Sequence, residues 1–196
     1  AAAQKLLGNH LPENPNAAQW RAVTYADATL PIVHAPAPGK THTLTERIAH
    51  IVQCFDPGGD ILAITFTNKD AEEMQQRLQP RLKNENIVVT ATTFHSFCLH
   101  FLRMHSQAGA LPENFHIAGE QDIEAALKTC WPDKNASARK QFKEQIATCK
   151  AQADFENEPP EVRRFNKHLR AQNLLDFDDL IIETLRMLQN NPAIKN

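Results

Sequence analysis

Gly39-Lys40-Thr41 is the triplet in this 196-residue chain whose residue types and order could do chemistry on a phosphate. A lysine and a hydroxyl residue directly after a glycine, at a helix start, offer a cation for β/γ-phosphates and a ligand for Mg²⁺. The helix N-terminus adds backbone N–H groups for anionic oxygens. The flanking sequence supplies the elements such a loop needs. Leu30 to Val33 is a short apolar run that reads as a strand, and Leu44, Ile48, Ile51 and Val52 recur at helical spacing behind the triplet. Strand, loop, helix is the layout of a P-loop nucleotide site, with Lys40 expected on the β/γ-phosphates and Thr41 on Mg²⁺. The loop body departs from G-x-x-x-x-G-K-[ST]: His34 stands at the first position, followed by Ala35, Pro36, Ala37 and Pro38. Prolines donate no N–H, so two cradle donors are missing.

Two further segments carry polar and aromatic groups together, TFTN at Thr65 to Asn68 and TTFHS at Thr92 to Ser96. Hydroxyls, an amide, an imidazole and Phe66 beside one another suit single-stranded nucleic acid, where bases stack and phosphates accept hydrogen bonds. The competing reading is helix caps plus core phenylalanines, and Phe94 fits an apolar helix face. Gln19, just upstream of the first strand, has an amide that both donates and accepts, as an adenine edge requires; a solvent-facing glutamine is the alternative. Hydrolysis would also need a Walker-B carboxylate for Mg²⁺ and a group that orients the attacking water. The one superficial match is Leu174-Leu175-Asp176-Phe177-Asp178-Asp179. Two apolar residues are too few for a Walker-B strand, so a capped helix start is expected there and the catalytic set is incomplete.

The elements that must position these groups follow from periodicity and punctuation. Asn9 to Pro15 reads as a lead-in loop, and Asn16 is placed to cap a short helix carrying Ala18, Ala22 and Val23 on one side. After the helix behind Thr41, Asp56 to Asp60 is a turn and Ile61 to Phe66 a buried strand. Thr67 to Asp70 caps a helix with Ala71, Met74 and Leu78 inward, closed by Pro80. Asn86 to Ala91 is a third strand, running into a helix with Phe94, Phe97, Cys98, Phe101 and Leu102 on one face. Three strand–helix units in succession predict an α/β fold with a parallel sheet flanked by helices. Ligands of such sheets sit beyond the C-terminal strand ends, where His34–Gly39, Thr65–Asn68 and Thr92–Ser96 all fall. From about Gln107 the pattern turns helical, with apolar faces at Ile123–Trp131, Phe142–Ile146 and Val162–Leu169. The last helix, capped by Asp176, is expected to bury Phe177, Leu180, Ile181, Thr184, Leu185 and Leu188.

Bulk properties narrow the class. A chain of 196 residues can bury one good core, or form one domain with a sizeable insertion, and a hydrophobic content of 42% with a charged content of 22% is that of an ordinary globular protein. The net charge of −2 gives no global basic field, so any nucleic-acid site must be local. Cys54, Cys98, Cys130 and Cys149 are widely spaced without C-x-x-C, and free thiols in a reducing, cytoplasmic setting are expected. His95 and Cys98 lie one helical turn apart without a second ligand pair, so no metal site of their own is expected. No apolar run reaches the ~18 residues of a membrane span.

NAAQWRAV (Asn16–Val23), APAPGKTHTLTERIAHIV (Ala35–Val52), ILAITFTNKDAEEM (Ile61–Met74), ATTFHSFCLHFLR (Ala91–Arg103) and NLLDFDDLI (Asn173–Ile181) stand in an order that resembles the N-terminal part of UvrD/Rep/PcrA-type superfamily-one DNA helicases. The first looks like their Q-motif helix, the second motif I, the third motif Ia, the fourth the next DNA-contacting motif, and the last the segment preceding Walker B. The resemblance implies a RecA-like P-loop NTPase domain, 1A, over residues 1–106, a helical 1B insertion over 107–172, and a return to 1A over 173–196. It implies ATP contacts at Gln19, Gly39, Lys40, Thr41 and His42, with Mg²⁺ held through Thr41, and a single-stranded DNA track at Thr65, Phe66, Asn68, Thr93 and His95. Such enzymes move 3′→5′ on single-stranded DNA and separate duplexes in repair or replication. Against the family's usual AGAGSGKT the loop is one residue short if Ala35 is matched to its first Ala; matched without a gap, His34 replaces that Ala. The chain stops before Walker B and the second motor domain, so an excised piece, inactive alone, is expected. The alternative is a non-enzymatic module with a degenerate P-loop that binds single-stranded DNA or a repair partner.

Overall fold

The computed structural model of the chain describes residues 16–25, 29, 39–54, 59–82, 87–106, 111–112, 114–152 and 158–195. The expected strand at Leu30–Val33, the loop body His34–Pro38 and the lead-in Asn9–Pro15 lie outside the described residues. The chain divides into two compact units between Thr93 and Phe94. Among the described residues no helix is long and apolar enough to cross a membrane.

The first unit is built on α1 (Ala17–Val23), α2 (Lys40–Cys54), β1 (Ile61–Thr65), α3 (Asn68–Leu78) and β2 (Val89–Thr93). Asn16 caps α1 by accepting from the backbone N–H groups of Ala18 and Gln19, and the Gln19 side chain returns the bond to the Asn16 N–H. Arg47 of α2 donates to the carbonyls of Ala22 and Tyr25, at 2.7 and 2.9 Å, and so ties α2 to the end of α1. Thr67 caps α3 as its sequence requires, its hydroxyl accepting from the Asp70 N–H and donating to the Asp70 carboxylate. A short 3₁₀ turn, Gln79–Arg81, carries Pro80 and ends that helix.

β1 and β2 pair in parallel, with Ile61 opposite Val89 and Thr65 opposite Thr93. α3 supplies the crossover a parallel pair needs. Ile48, Ala49 and Val52 of α2 meet Ala63, Met74, Leu78, Ile87 and Val89 in one apolar cluster. Two expectations need correction here. β2 runs from Val89 to Thr93, so it begins three residues and ends two residues later than the Asn86–Ala91 run suggested. β1 is not buried throughout: Ala63 alone is enclosed, and Leu62 is 45% exposed. A continuous apolar run cannot say how many layers cover a strand, because that depends on elements distant in sequence.

The second unit holds α4 (Phe94–Met104), β3 (His116–Ile117), α5 (Glu120–Cys130), α6 (Ala136–Ala151), α7 (Pro160–Arg170), β4 (Leu174–Leu175), α8 (Phe177–Asn190) and α9 (Pro192–Lys195). α4 and α8 share a core of Cys98, Leu102, Leu111, Phe115, Leu175, Leu180 and Met187. A separate core joins α5, α6 and α7 through Ala126, Leu127, Ile146, Val162, Phe165 and Leu169. Trp131 stacks on Phe142 at 4.7 Å between ring centroids, closing the α5–α6 corner. The helices expected from the Ile123, Phe142 and Val162 patterns are all present. The region is not purely helical: β3 and β4 form a two-residue parallel pair, too short to leave a period-2 signal.

α8 is capped by Asp176, which accepts from the Asp179 N–H at 2.9 Å. Its buried stripe differs from the expected one. Asp179, Leu180, Ile182, Glu183, Thr184 and Met187 are enclosed, whereas Phe177 and Leu185 are exposed. The apolar periodicity was compatible with a slightly rotated face, and buried ion pairs decide the rotation. Glu183 is held by Arg170 and by Arg186, the latter at 2.7 Å.

Candidate functional site

The phosphate-type triplet occupies a helix start. Lys40 is the first residue of the 15-residue α2 and is exposed, with Thr41 half-buried behind it. Gly39 has φ +138°, a conformation closed to residues with a Cβ. Its carbonyl accepts both the N–H and the hydroxyl of Thr43, each at 2.8 Å, so the chain turns sharply into the helix. Thr45 repeats the device by donating to the Thr41 carbonyl at 2.8 Å.

Gln19 lies beside this turn. Its Oε1 accepts the Asn16 N–H at 2.9 Å, and a Cβ built on Gly39 would stand 3.0 Å from its Nε2. The glutamine NH₂ group therefore lies against the glycine, which its spacing of twenty residues did not announce. Gly39→Ala meets two penalties at once, a positive φ and a close approach to Gln19. It is expected to cost about 1–3 kcal/mol, read as faster amide exchange in α1 and the first turn of α2. His42 faces down the helix, with Nδ1 3.9 Å from Glu46 Oε1, and Glu46 is itself paired with Arg81.

The residues present fit the phosphate end of a nucleotide with Mg²⁺. A positive-φ glycine opens a helix N-terminus that carries an exposed lysine and a hydroxyl. Lys40 would hold β/γ-phosphate oxygens and Thr41 would ligate Mg²⁺. The remainder of the loop, His34–Pro38, lies outside the described residues.

At the other strand ends the geometry is more explicit. Phe66 follows β1 directly and is 97% exposed, so its ring is presented to solvent and the core-phenylalanine reading fails. Thr65 Oγ1 donates to the Thr67 carbonyl at 2.9 Å, and Thr93 Oγ1 reaches Asn68 Oδ1 at 3.3 Å. Thr65, Phe66, Asn68 and Thr93 thus gather at the C-terminal edge of the parallel pair. In the second unit, His95 meets Phe177 edge-to-face, with ring centroids 5.3 Å apart. Phe94 is 59% exposed, which corrects its assignment to the core. It opens α4, and the buried face of that helix starts one turn later, at Cys98.

The acidic run at the start of α8 is structural. Lys150 of α6 is buried, and its Nζ donates to Asp176 Oδ2 at 2.5 Å and to Asp179 Oδ1 at 2.7 Å. Burial pushes the Asp179 carboxyl up from its ordinary value, with the Lys150 charge opposing that shift. Asp178 is also raised, by burial and by the adjacent Asp176, while Lys150 and His95 pull it down. The Walker-B alternative is not supported, since Asp176 and Asp179 are taken up by a cap and an ion pair. Lys150 was not singled out from the sequence. Its one signal is a lysine four residues after Ile146 on the buried face of α6, in a chain with an acidic cluster lacking a partner.

The chain matches the family described as UvrD/REP helicase N-terminal domain over residues 15–196. It is similar to the ATP-dependent DNA helicase PcrA of Staphylococcus aureus (strain Mu50), with 30% identity over 204 aligned residues, covering 95% of this chain and 28% of that protein. The protein of the same name from Staphylococcus epidermidis (strain RP62A) is 30% identical over 202 residues, covering 94% of this chain and 28% of its own length. The chain therefore spans little more than a quarter of the length of these curated relatives. A match across nearly every residue, with motifs I and Ia falling on a helix start and on a β1–α3 junction, settles its kinship: the chain belongs to the UvrD/REP helicase family, as an N-terminal domain with the P-loop fold that membership implies.

Proposed function

We propose that this chain is the N-terminal part of an ATP-dependent DNA helicase that couples nucleotide hydrolysis to movement along single-stranded DNA, in repair or replication in the cytoplasm. The observation that carries the reading is Phe66, an aromatic ring 97% exposed at the C-terminal end of a parallel strand beside Thr65, Asn68 and Thr93. A ring in that position offers a base a stacking surface, worth about 1–3 kcal/mol per base. The neighbouring hydroxyl and amide groups suit the sugar–phosphate chain, and His95 of the second unit is a further DNA contact in this reading.

ATP with its Mg²⁺ supplies, when bound, the free energy for movement. Lys40 and Thr41 hold its phosphate end through charge and a hydroxyl, Gln19 reads its base, and His42 sits one residue further along α2. In this reading residues 1–106 and 173–196 form domain 1A. Residues 107–172, with their separate α5–α7 core, form the helical 1B insertion. Because Asp176 and Asp179 serve the α8 start, turnover requires a carboxylate and a second motor domain from elsewhere in the parent protein. The 196-residue piece alone is then expected to bind DNA without hydrolysing ATP.

Two titrations test this. Fluorescence anisotropy of a labelled sixteen-nucleotide oligothymidine, with increasing chain at several salt concentrations, should give saturable binding that weakens with salt. A fluorescent ATP analogue should bind the chain and be lost in Lys40→Ala, with DNA affinity unchanged. Absence of oligonucleotide binding, or rapid DNA-stimulated ATP turnover by the piece itself, would overturn the reading.

A further inference from the structure

The strongest polar feature of the second unit is one that the proposed chemistry does not use. Lys150 is a lysine with 1% of its side chain exposed, and it bridges two carboxylates, Asp176 and Asp179. A buried ammonium is costly to desolvate, and a buried pair that loses one partner leaves an uncompensated charge, so the two carboxylates and the lysine are held to one arrangement. Asp176 and Asp179 flank Phe177 in the first turn of α8, so the lysine clamps the backbone on both sides of that ring. Asp176 is also the helix cap, accepting from the Asp179 N–H, which closes the turn into one hydrogen-bonded ring of groups.

Phe177 needs such a clamp. Its side chain is 56% exposed and lines, with Ile146 and Phe165 among others, an open pocket of about 180 Å³, so more than half of it lacks packing partners. Its ring contact is with the His95 imidazole, 5.3 Å away. His95 is a residue of the proposed DNA track, and Asp178 of the same turn interacts with it electrostatically.

We infer that Lys150 is a positioning residue for DNA binding: it fixes the first turn of α8 through Asp176 and Asp179, and that turn sets the His95 imidazole through Phe177. The inference rests on the proposed reading of His95 as a DNA contact. It assigns to helix α6 a part in the DNA site without any contact between Lys150 and DNA. Two consequences separate it from a direct role. Loss of Lys150 weakens binding without changing the salt dependence, because no phosphate contact is lost. Loss of the Phe177 ring alone reproduces the effect with the buried ion pairs intact.

The test uses the whole 196-residue chain and variants Lys150→Met and Phe177→Leu, with ¹³C-edited NMR of the histidine rings and anisotropy of labelled oligothymidine. Lys150→Met is expected to move the His95 ring signals away from the position set by the Phe177 ring current. It should weaken oligonucleotide binding about three- to tenfold at an unchanged salt slope. Phe177→Leu should give the same two changes with an unaltered melting temperature, and undiminished oligonucleotide binding by it overturns the inference even if Lys150→Met does not fold. Unmoved His95 signals in the folded variants overturn the inference, as does a salt slope reduced by about one in Lys150→Met. If the native chain binds no oligothymidine, the DNA reading of His95 fails, and the His95 signals still report whether Lys150 sets that ring.

Discussion

Phe66→Ala is expected to weaken binding of a single-stranded oligothymidine by about 5- to 150-fold, the loss of one base–aromatic stack of about 1–3 kcal/mol. The melting temperature of the chain should stay nearly unchanged, because a ring that is 97% exposed contributes almost no buried area. That combination distinguishes a recognition residue from a core residue: an enclosed phenylalanine cut back to alanine costs about 3–5 kcal/mol of stability. The salt slope of binding should also be unaffected, since the ring touches no counterion-bearing group. Anisotropy titrations at three salt concentrations, with a thermal melt of the same samples, provide all three quantities. A large drop in melting temperature with unchanged DNA affinity would return Phe66 to the core and remove the observation that carries the single-stranded DNA reading.

Leu175→Ala carries the largest expected effect on stability, about 2–5 kcal/mol. Leu175 is fully buried in the cluster formed by Cys98, Leu102, Leu111, Phe115 and Leu180, and its carbonyl accepts from the Ala118 N–H at 2.8 Å. Truncation keeps the backbone pairing with β3 and empties a space bounded by α4 and α8, so the penalty is a transfer loss plus a cavity. Chemical denaturation should show a lower midpoint with an unchanged slope, and amide exchange should accelerate in α4 and α8. The same substitution addresses the acidic run that follows. If Leu174-Leu175 were the end of a catalytic strand leading to Asp176, the main effect would fall on nucleotide chemistry in the parent enzyme. A midpoint within error of the native chain would contradict the burial of Leu175. Leu62→Ala makes the contrasting case inside β1, where a leucine in an apolar run is 45% exposed and little is lost on truncation.

The features legible in the sequence are the local ones. Asn16, Thr67 and Asp176 each close a hydrogen bond within three residues, so residue type and spacing suffice to place the starts of α1, α3 and α8. Pro80 ends α3 for the same kind of reason, since a proline lacks the N–H a helix would need. The helical start at Gly39-Lys40-Thr41 and the three helices α5, α6 and α7 follow from apolar spacing. The family follows too, because its motifs are contiguous strings whose order does not depend on packing.

The tertiary structure decided everything that requires two distant segments to meet. Whether Phe66, Phe94 and Phe177 are covered depends on what lies opposite them, and in all three cases little does. Hydrophobic identity fixes a tendency to bury without supplying the partner surface. The face of α8 is turned by Glu183 and Asp179, which are charged yet enclosed because Arg170 and Lys150 reach them from α7 and α6. Lys150 shows the limit most plainly. Twenty-six residues separate it from Asp176, and only their convergence converts a lysine on an apolar helix face into the clamp of another helix start. Caps and motifs are written within a turn or two of chain, whereas burial and ion pairing are set by contacts that exist only once the chain has folded.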